Sequence, residues 1–169
     1  DIATMRVMAN MRGFVPCDAV EAKKATVAAA KIWGPIYLRY GREKTPVFTT
    51  EETPYVPGKA ETFWHPPEKV KMDVLIVATG SLVYNALLAA RDLENEKIYS
   101  VVLNVHTIKP LDEAKIAEFA KRAGAVVTVE EHQIKGGLGG AVAETLARHY
   151  PVPMEFVGMH DVFGESGVP

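Results

Sequence analysis

The sequence has little of several features that would define its class at once. It has a single cysteine, Cys17, so no disulfide can form within the chain, and a cytoplasmic protein is the simplest expectation. No apolar run approaches the roughly 20 residues that a membrane-spanning helix needs. Its 19 basic and 21 acidic residues form no basic cluster, which argues against nucleic acid or a membrane as a partner.

Apolar residues make up 48% of the 169 positions, which is ample for a packed core. From residue 72 onward, apolar runs of β-preferring residues alternate with helical patterns. This alternation predicts an α/β fold with a doubly wound, mostly parallel sheet over residues 72–169. The strands are expected at residues 73–79, 98–105, 125–129 and 154–157, and the helix faces at Val83, Ala86, Leu87, Ala90, Ile116, Phe119, Ala120, Ala123, Leu138, Ala141, Val142 and Leu146.

Residues 1–40 predict the back part of another α/β domain. A helix end is followed by a strand at residues 13–16, a helix that Asp18 caps with Glu21 in the capping-box position, and a strand at residues 36–40. Residues 41–71 are rich in proline and have no sustained periodicity, so they predict a connector between domains. Because both ends are abrupt, we expect the chain to be a piece of a longer protein.

Glycine-rich turns follow two of the predicted strands and raise the question of a nucleotide site. Thr79, Gly80 and Ser81 could present backbone N–H groups to a phosphate, with Ser81 capping the next helix. The dinucleotide fingerprint is absent there, and the glycines at residues 136–140 come after a polar stretch instead of directly after a strand. Tight turns with close helix packing are therefore favoured over a nucleotide site.

A polar crest, Glu130, Glu131 and His132, follows the strand at residues 125–129. Paired carboxylates beside a histidine could perform acid–base chemistry, or the crest could bind a neighbouring subunit. The second interpretation is favoured, and the role of the crest stays open. The other histidines lie at positions 65, 106, 149 and 160, without metal-ligand spacing, so no metal site is predicted from them.

Arg39 and Arg42 leave the strand at residues 36–40 where the predicted connector begins. An arginine at the carboxyl end of a strand can bind a phosphate or carboxylate through two hydrogen bonds. A salt bridge with Glu43 or another acid is the more usual role for such a residue.

Five blocks of sequence stand out: GPIYLRYGREKTP, DVLIVATGSLV, TIKPLDE, VTVEEHQIKGGLG and DVFGESGVP. In this order and spacing they resemble the C-terminal part of transketolase. The closest likeness is to the split kind, in which a separate C-terminal subunit joins an N-terminal one, and it covers essentially the whole chain. The second block, DVLIVATGSLV, also resembles 1-deoxyxylulose-5-phosphate synthase and the β subunits of 2-oxo acid dehydrogenases. The last block, DVFGESGVP, most favours transketolase.

The resemblance implies an enzyme that moves a two-carbon ketol unit from a ketose phosphate to an aldose phosphate. The cofactors would be thiamine diphosphate and a divalent cation, Mg or Ca, held by residues outside this chain. Residues 1–40 would be the end of the pyrimidine-binding domain, residues 41–71 the connector, and residues 72–169 a C-terminal domain truncated at its end. No catalytic, cofactor or metal residue is expected here.

The same resemblance assigns one site residue. Arg42 and Pro46 match an R-x-x-x-P pattern whose arginine binds the sugar phosphate in the family. Arg39 matches the R-Y pattern of the synthase relatives, which leaves a second register open. The implied partners are an N-terminal subunit or domain, in a homodimer or heterotetramer, and phosphorylated sugars.

Three other functions are consistent with these residues. They are a segment of a 1-deoxyxylulose-5-phosphate synthase, a segment of a 2-oxo acid dehydrogenase β subunit, and a non-catalytic assembly or regulatory domain. In the last case the fold would persist without the chemistry.

Overall fold

A computed structural model describes residues 1–42 and 44–164 of the chain. The described residues form helices and strands in two sheets. In chain order the elements are α1 (Ile2–Val7), β1 (Arg12–Phe14), α2 (Ala19–Ala30), β2 (Ile36–Leu38), β3 (Glu61–Trp64), β4 (Val74–Ala78), α3 (Leu82–Asn95), β5 (Ser100–Asn104), β6 (Thr107–Lys109), α4 (Glu113–Ala123), β7 (Val126–Gln133), α5 (Leu138–His149) and β8 (Met154–Met159).

The larger sheet has the strand order β3-β5-β4-β7-β8. The last four of these strands run parallel, and β3 pairs antiparallel with β5 at the edge. Side chains of β4 alternate between the two faces: Leu75 and Val77 join the core under α4 and α5, whereas Ile76 and Ala78 join the core under α3. Helices on both faces confirm the predicted doubly wound, mostly parallel sheet.

The predicted helix faces are the buried ones. In α3, α4 and α5 every predicted inward residue is buried, apart from Leu87, which is partly buried and packs against the core. This agreement follows from the helical spacing of the apolar residues, because one face of each helix must cover the sheet.

The N-terminal unit, residues 1–40, contributes β1 and β2 to a smaller sheet with the order β2-β1-β6. The strands β1 and β2 run parallel and are joined by α2, as predicted, and Asp18 caps α2 by accepting a hydrogen bond from the N–H of Glu21 at 2.9 Å. The third strand, β6, comes from the C-terminal region and pairs antiparallel with β1. This pairing joins the two parts of the chain through backbone hydrogen bonds, and the sequence did not predict it.

Three details differ from the sequence-based expectations. The stretch expected to be a connector without periodic structure contains β3, because its backbone pairs with the edge of β5. β7 continues through the polar crest as far as Gln133, which pairs with Met159 of β8. Ser81 begins α3 but its side chain makes no capping hydrogen bond. The family block at residues 161–169 lies outside the described residues from residue 165 onward.

Candidate functional site

The carboxyl edge of the larger sheet is covered by the N-terminal unit. The N–H of Val15 donates to His106 O at 2.8 Å, and the N–H of Gly80 donates to Val15 O at 3.3 Å. Gly80 has a φ of +62°, and a Cβ atom there would lie 3.1 Å from Val15 Cγ1. Ligands of open parallel sheets commonly bind at this edge, but in this chain protein atoms fill it.

Glu130, in the crest, caps the helix that follows it. The side chain is 1% exposed, and its two oxygens accept hydrogen bonds from the N–H groups of Leu138 (2.7 Å) and Gly139 (2.9 Å) in the first turn of α5. Burial raises the pKa of Glu130, against the opposing effect of these hydrogen bonds and of His132. A Cβ atom on Gly137 would overlap both Glu130 and His132, which explains why the turn needs glycine there. The carboxylate therefore occupies the anion position at this helix N-terminus.

His132 lies against this carboxylate inside the turn. Its Nε2 atom is 3.0 Å from Glu130 Oε2, at an angle that does not make a hydrogen bond, and its Nδ1 atom is 2.9 Å from Gln133 O. The side chain is largely buried, so a substrate has little access to it. Both residues contribute to the packing of the glycine turn.

Glu131 and Arg39 are brought together across the two units. Arg39 Nη1 donates to Glu131 Oε2 at 3.0 Å, and Arg39 Nε donates to Asp1 Oδ2 at 3.1 Å, where the Tyr37 hydroxyl also donates. Arg6 makes a similar bridge, donating to Gly136 O at 2.7 Å. The two arginines hold the N-terminal unit against the crest and the glycine turn. Arg39 therefore has the salt-bridge role that the sequence left open.

A second contact between the units is fully buried. Glu21 is 2% exposed; its Oε2 accepts from the N–H of Cys17 and its Oε1 accepts from Asn104 Nδ2, both at 2.7 Å. Burial raises the pKa of Glu21 and also that of the Cys17 thiol. Cys17 is thus kept as a thiol. The capping-box pattern predicted the position of Glu21 but not its contact with Asn104, which lies 83 residues away.

Arg42 is exposed. Gly41 and Lys44, close to it in the sequence, line a cavity of about 390 Å³ that the sequence did not predict. The start of α2 and the residue before α3 form one side of this cavity, and Lys44 is at its border. The alternative partner Glu43 is outside the described residues. The cavity is lined by Pro16, Cys17, Asp18, Ala19, Ala22, Tyr40, Gly41, Lys44, Thr45, Val47 and Ser81.

The described residues do not fit a diphosphate and its metal ion. Among residues 1–42 and 44–164, no group of three or more His, Cys, Asp or Glu side chains could hold a metal. The glycine turn before α5 is filled by Glu130, and the turn after β4 is filled by Val15.

Among residues 1–42 and 44–164, no helix is long and apolar enough to cross a membrane.

Three of the remaining histidines lie in unrelated surroundings. His106 is buried and stacks on Tyr55 at a ring distance of 4.1 Å, whereas His149 Nε2 lies 3.1 Å from Glu113 Oε2 on the surface. His65 Nδ1 lies 2.7 Å from the carbonyl oxygen of Pro66. These separate contacts do not bring the three residues together.

A protein-family model described as the transketolase C-terminal domain matches residues 66–169. The chain belongs to this transketolase C-terminal domain family. The resemblance seen in the five sequence blocks is thereby confirmed.

Other members of the family match the chain over nearly its full length. A 6-deoxy-6-sulfo-D-fructose transketolase subunit of Clostridium sp. (strain MSTE9) is 39% identical over 99% of this chain and 51% of its own length. An apulose-4-phosphate transketolase subunit of Phocaeicola vulgatus is 36% identical over 95% of this chain and 50% of its own length. The chain thus spans about half the length of these transketolase subunits.

Solved structures support the family and the fold. A split-gene transketolase in an inactive beta4 tetramer superposes with a TM-score of 0.89 at 42% identity, covering 95% of this chain and 52% of that one. The transketolase of Campylobacter jejuni has a TM-score of 0.74 at 23% identity, covering 98% of this chain and 24% of that one, and shows the fold alone.

A relative with another name is also similar in sequence. A 1-deoxy-D-xylulose-5-phosphate synthase of Synechococcus elongatus is 35% identical over 100% of this chain and 26% of its own length.

Proposed function

We propose that this chain is the C-terminal portion of a transketolase-type enzyme that transfers a two-carbon ketol unit between phosphorylated sugars. The observation that carries the proposal is the match, over nearly all of the chain, to subunits named as transketolases. Thiamine diphosphate and a divalent cation would bind to residues outside this chain, since its described turns are filled by protein atoms.

In this proposal Arg42 binds the phosphate of the sugar. Its side chain is exposed, and Gly41 and Lys44, close to it in the sequence, line a cavity of about 390 Å³. The positive charges of Arg42 and Lys44 favour an anion in this part of the chain. Arg39 is a weaker candidate because only 18% of its side chain is exposed, whereas Arg42 is exposed.

The chain is proposed to act within a larger assembly. Because it covers about half of the related subunits, the remaining residues and an N-terminal partner would supply the cofactor site, in a homodimer or heterotetramer. The similar split-gene transketolase is described as inactive when it is a beta4 tetramer. We expect this chain alone to be inactive too, because a cofactor held between chains needs both of them.

A synthase of 1-deoxyxylulose 5-phosphate is the second candidate, favoured by the similarity over the full chain at 35% identity. The two enzymes differ in their donor substrate. The synthase would decarboxylate pyruvate onto glyceraldehyde 3-phosphate, whereas the transketolase would use a ketose phosphate.

The test is to reconstitute the chain, with the residues that precede it, with its N-terminal partner in the presence of thiamine diphosphate and Mg²⁺. Transfer from xylulose 5-phosphate to ribose 5-phosphate is expected, and no turnover by the chain alone. Turnover of pyruvate with glyceraldehyde 3-phosphate would support the synthase instead. An assembly that binds the cofactor and performs neither reaction would favour a non-catalytic assembly domain.

A further inference from the structure

Asp18 makes more hydrogen bonds than a helix cap needs. Its carboxylate is 5% exposed and accepts four hydrogen bonds. Oδ1 accepts from the N–H of Glu21 (2.9 Å) and the hydroxyl of Thr49 (2.7 Å), and Oδ2 accepts from the N–H groups of Phe48 (2.9 Å) and Thr49 (2.7 Å). Only the first of these bonds caps α2, and the other three hold a segment about 30 residues further along the chain.

The group stays ionised in this environment. Burial alone would raise the pKa of Asp18, but the hydrogen bonds from Glu21, Thr49 and Phe48 outweigh it, and the pKa lies below its ordinary value. The buried carboxylate is a strong point of attachment, because three of its four hydrogen bonds would be lost if the segment moved away.

The segment that Asp18 holds is the one that follows Arg42. The Arg42 loop, residues 40–42 and 44–49, is attached at its start as well: the N–H of Arg39 donates to Phe14 O at 2.9 Å, and the Tyr40 hydroxyl lies 2.7 Å from Thr26 Oγ1. Between these two attachments, the loop runs along the cavity of about 390 Å³, which Asp18 also lines. The placement of Arg42 and Lys44 therefore depends on the attachments at both ends of the loop.

We propose that Asp18 is a positioning residue, whose bonds to Phe48 and Thr49 fix the Arg42 loop over the cavity for binding of the sugar phosphate. This inference rests on the proposed function. Asp18 touches no reacting atom in it; the residue restricts the loop, so that less entropy is lost when the phosphate binds.

The chain offers a matched control in Asp112. This residue is 7% exposed, caps α4 through the N–H of Lys115 at 3.4 Å, and holds the far part of the connector through the N–H of Ala60 at 3.1 Å. It therefore has the same two functions as Asp18, a helix cap and an attachment for the connector, but is not among the residues that line the cavity.

The experiment compares Asp18→Ser, Thr49→Val and Asp112→Ser in the complete assembly with thiamine diphosphate and Mg²⁺. Serine keeps a helix cap but is too short to reach the second segment, and valine removes one of the three bonds to the loop without changing the cap. Two quantities are measured: KM and kcat with a phosphorylated aldose and with its unphosphorylated counterpart, and the rate of tryptic cleavage after Arg42 and Lys44, located by mass spectrometry.

Asp18→Ser and Thr49→Val are expected to raise KM for the phosphorylated aldose, by about tenfold for the former, with little change in kcat. Cleavage in the Arg42 loop should become faster in both, whereas Asp112→Ser should match the wild type in both measurements. Cleavage rates and KM values that are the same in Asp18→Ser, Thr49→Val and Asp112→Ser would overturn the inference.

A different result would contradict the proposed role of Arg42 in phosphate binding. If Arg42→Ala leaves KM for the phosphorylated aldose unchanged, Arg42 does not bind the phosphate, and the positioning role falls with it. The cleavage rates then still show whether Asp18 restrains the loop. If Arg42→Ala raises KM while Asp18→Ser accelerates cleavage and leaves KM unchanged, only the positioning inference is overturned.

Discussion

At the scale of single residues, Arg42 is the one with a proposed contact to substrate. In the complete assembly, Arg42→Ala is expected to lower kcat/KM for phosphorylated sugars by about 2–4 kcal/mol, because charge-assisted hydrogen bonds to the phosphate are lost. Steady-state kinetics with phosphorylated and unphosphorylated acceptors would measure this loss in kcat/KM. The control is Arg39→Ala, which breaks the contacts with Asp1 and Glu131 and should not distinguish the two acceptors. An equal loss with both acceptors in Arg42→Ala would assign Arg42 to structure.

His106 should make stability depend on pH. Burial lowers its pKa from 6.5 to about 4. Below pH 6.5 the unfolded chain binds a proton that the folded chain does not, so stability is full above that pH and is lost as the pH falls towards 4. The loss is expected to reach about 2–3 kcal/mol at about pH 4.5.

The measurement is urea unfolding at about pH 7 and about pH 4.5, for the wild type and for His106→Asn. Other groups with shifted pKa values, such as Glu21 and Glu130, remain in both proteins and cancel in the comparison. The variant should lose less stability on acidification. An identical loss in both proteins would show that His106 does not stay neutral in the folded state.

The sequence identified Arg42 by its place in a motif, and Asp18 by its place before a helix, but it did not connect the two. The hydrogen bonds from Phe48 and Thr49 to Asp18 join positions about 30 residues apart in an irregular segment. No periodicity encodes such a contact. For the same reason the sequence left the role of the crest open, whereas in the structure Glu130 caps α5 and Glu131 binds Arg39.

At the scale of elements, the glycines at the start of α5 are not equivalent. A Cβ atom on Gly139 would lie 2.5 Å from Phe156 Cδ1 and 2.9 Å from Thr128 Oγ1, whereas one on Gly140 would have Arg6 Nη1 at 3.4 Å as its nearest neighbour. Gly139→Ala is expected to destabilise the chain by about 1–3 kcal/mol through overpacking.

Gly140→Ala is the matched change one residue later. It should leave stability unchanged or raise it by up to about 1 kcal/mol, because alanine favours a helix. Thermal or urea unfolding of both variants would test the pair. Equal effects would mean that α5 does not pack against β7 and β8 as described.

The elements that the sequence predicted were those with strong internal patterns. The helices α3, α4 and α5 have apolar residues at helical spacing, and the central strands are continuous apolar runs. The strands β3 and β6 are only four and three residues long and lie at the edge of a sheet or between the two units. They are strands because a partner strand pairs with them, which no local pattern reveals.

At the scale of the whole molecule, the buried pair Glu21 and Asn104 joins the N-terminal unit to the larger sheet. Asn104→Ala would leave a buried carboxylate oxygen unpaired, at a cost of about 1–3 kcal/mol. Hydrogen exchange should become faster in β1 and α2 than in the central strand β4.

Asn95→Ala, at the exposed end of α3, makes the same chemical change away from this contact and should leave hydrogen exchange in β1 and α2 unaltered. Uniform acceleration of exchange in all strands of Asn104→Ala would contradict a role specific to the contact between the units. It would then show a general loss of stability instead.

The sequence by itself determined the α/β class, the inward faces of the helices, the central strands and the family, because periodicity and motif spacing are local properties. The tertiary structure alone decided that the N-terminal unit covers the carboxyl edge of the sheet, and that Arg39 meets Glu131 there. It also decided that Asp18 holds the loop of Arg42 and that Glu21 meets Asn104. These contacts join distant positions through side chains, and their energy exists only once both partners have been buried together.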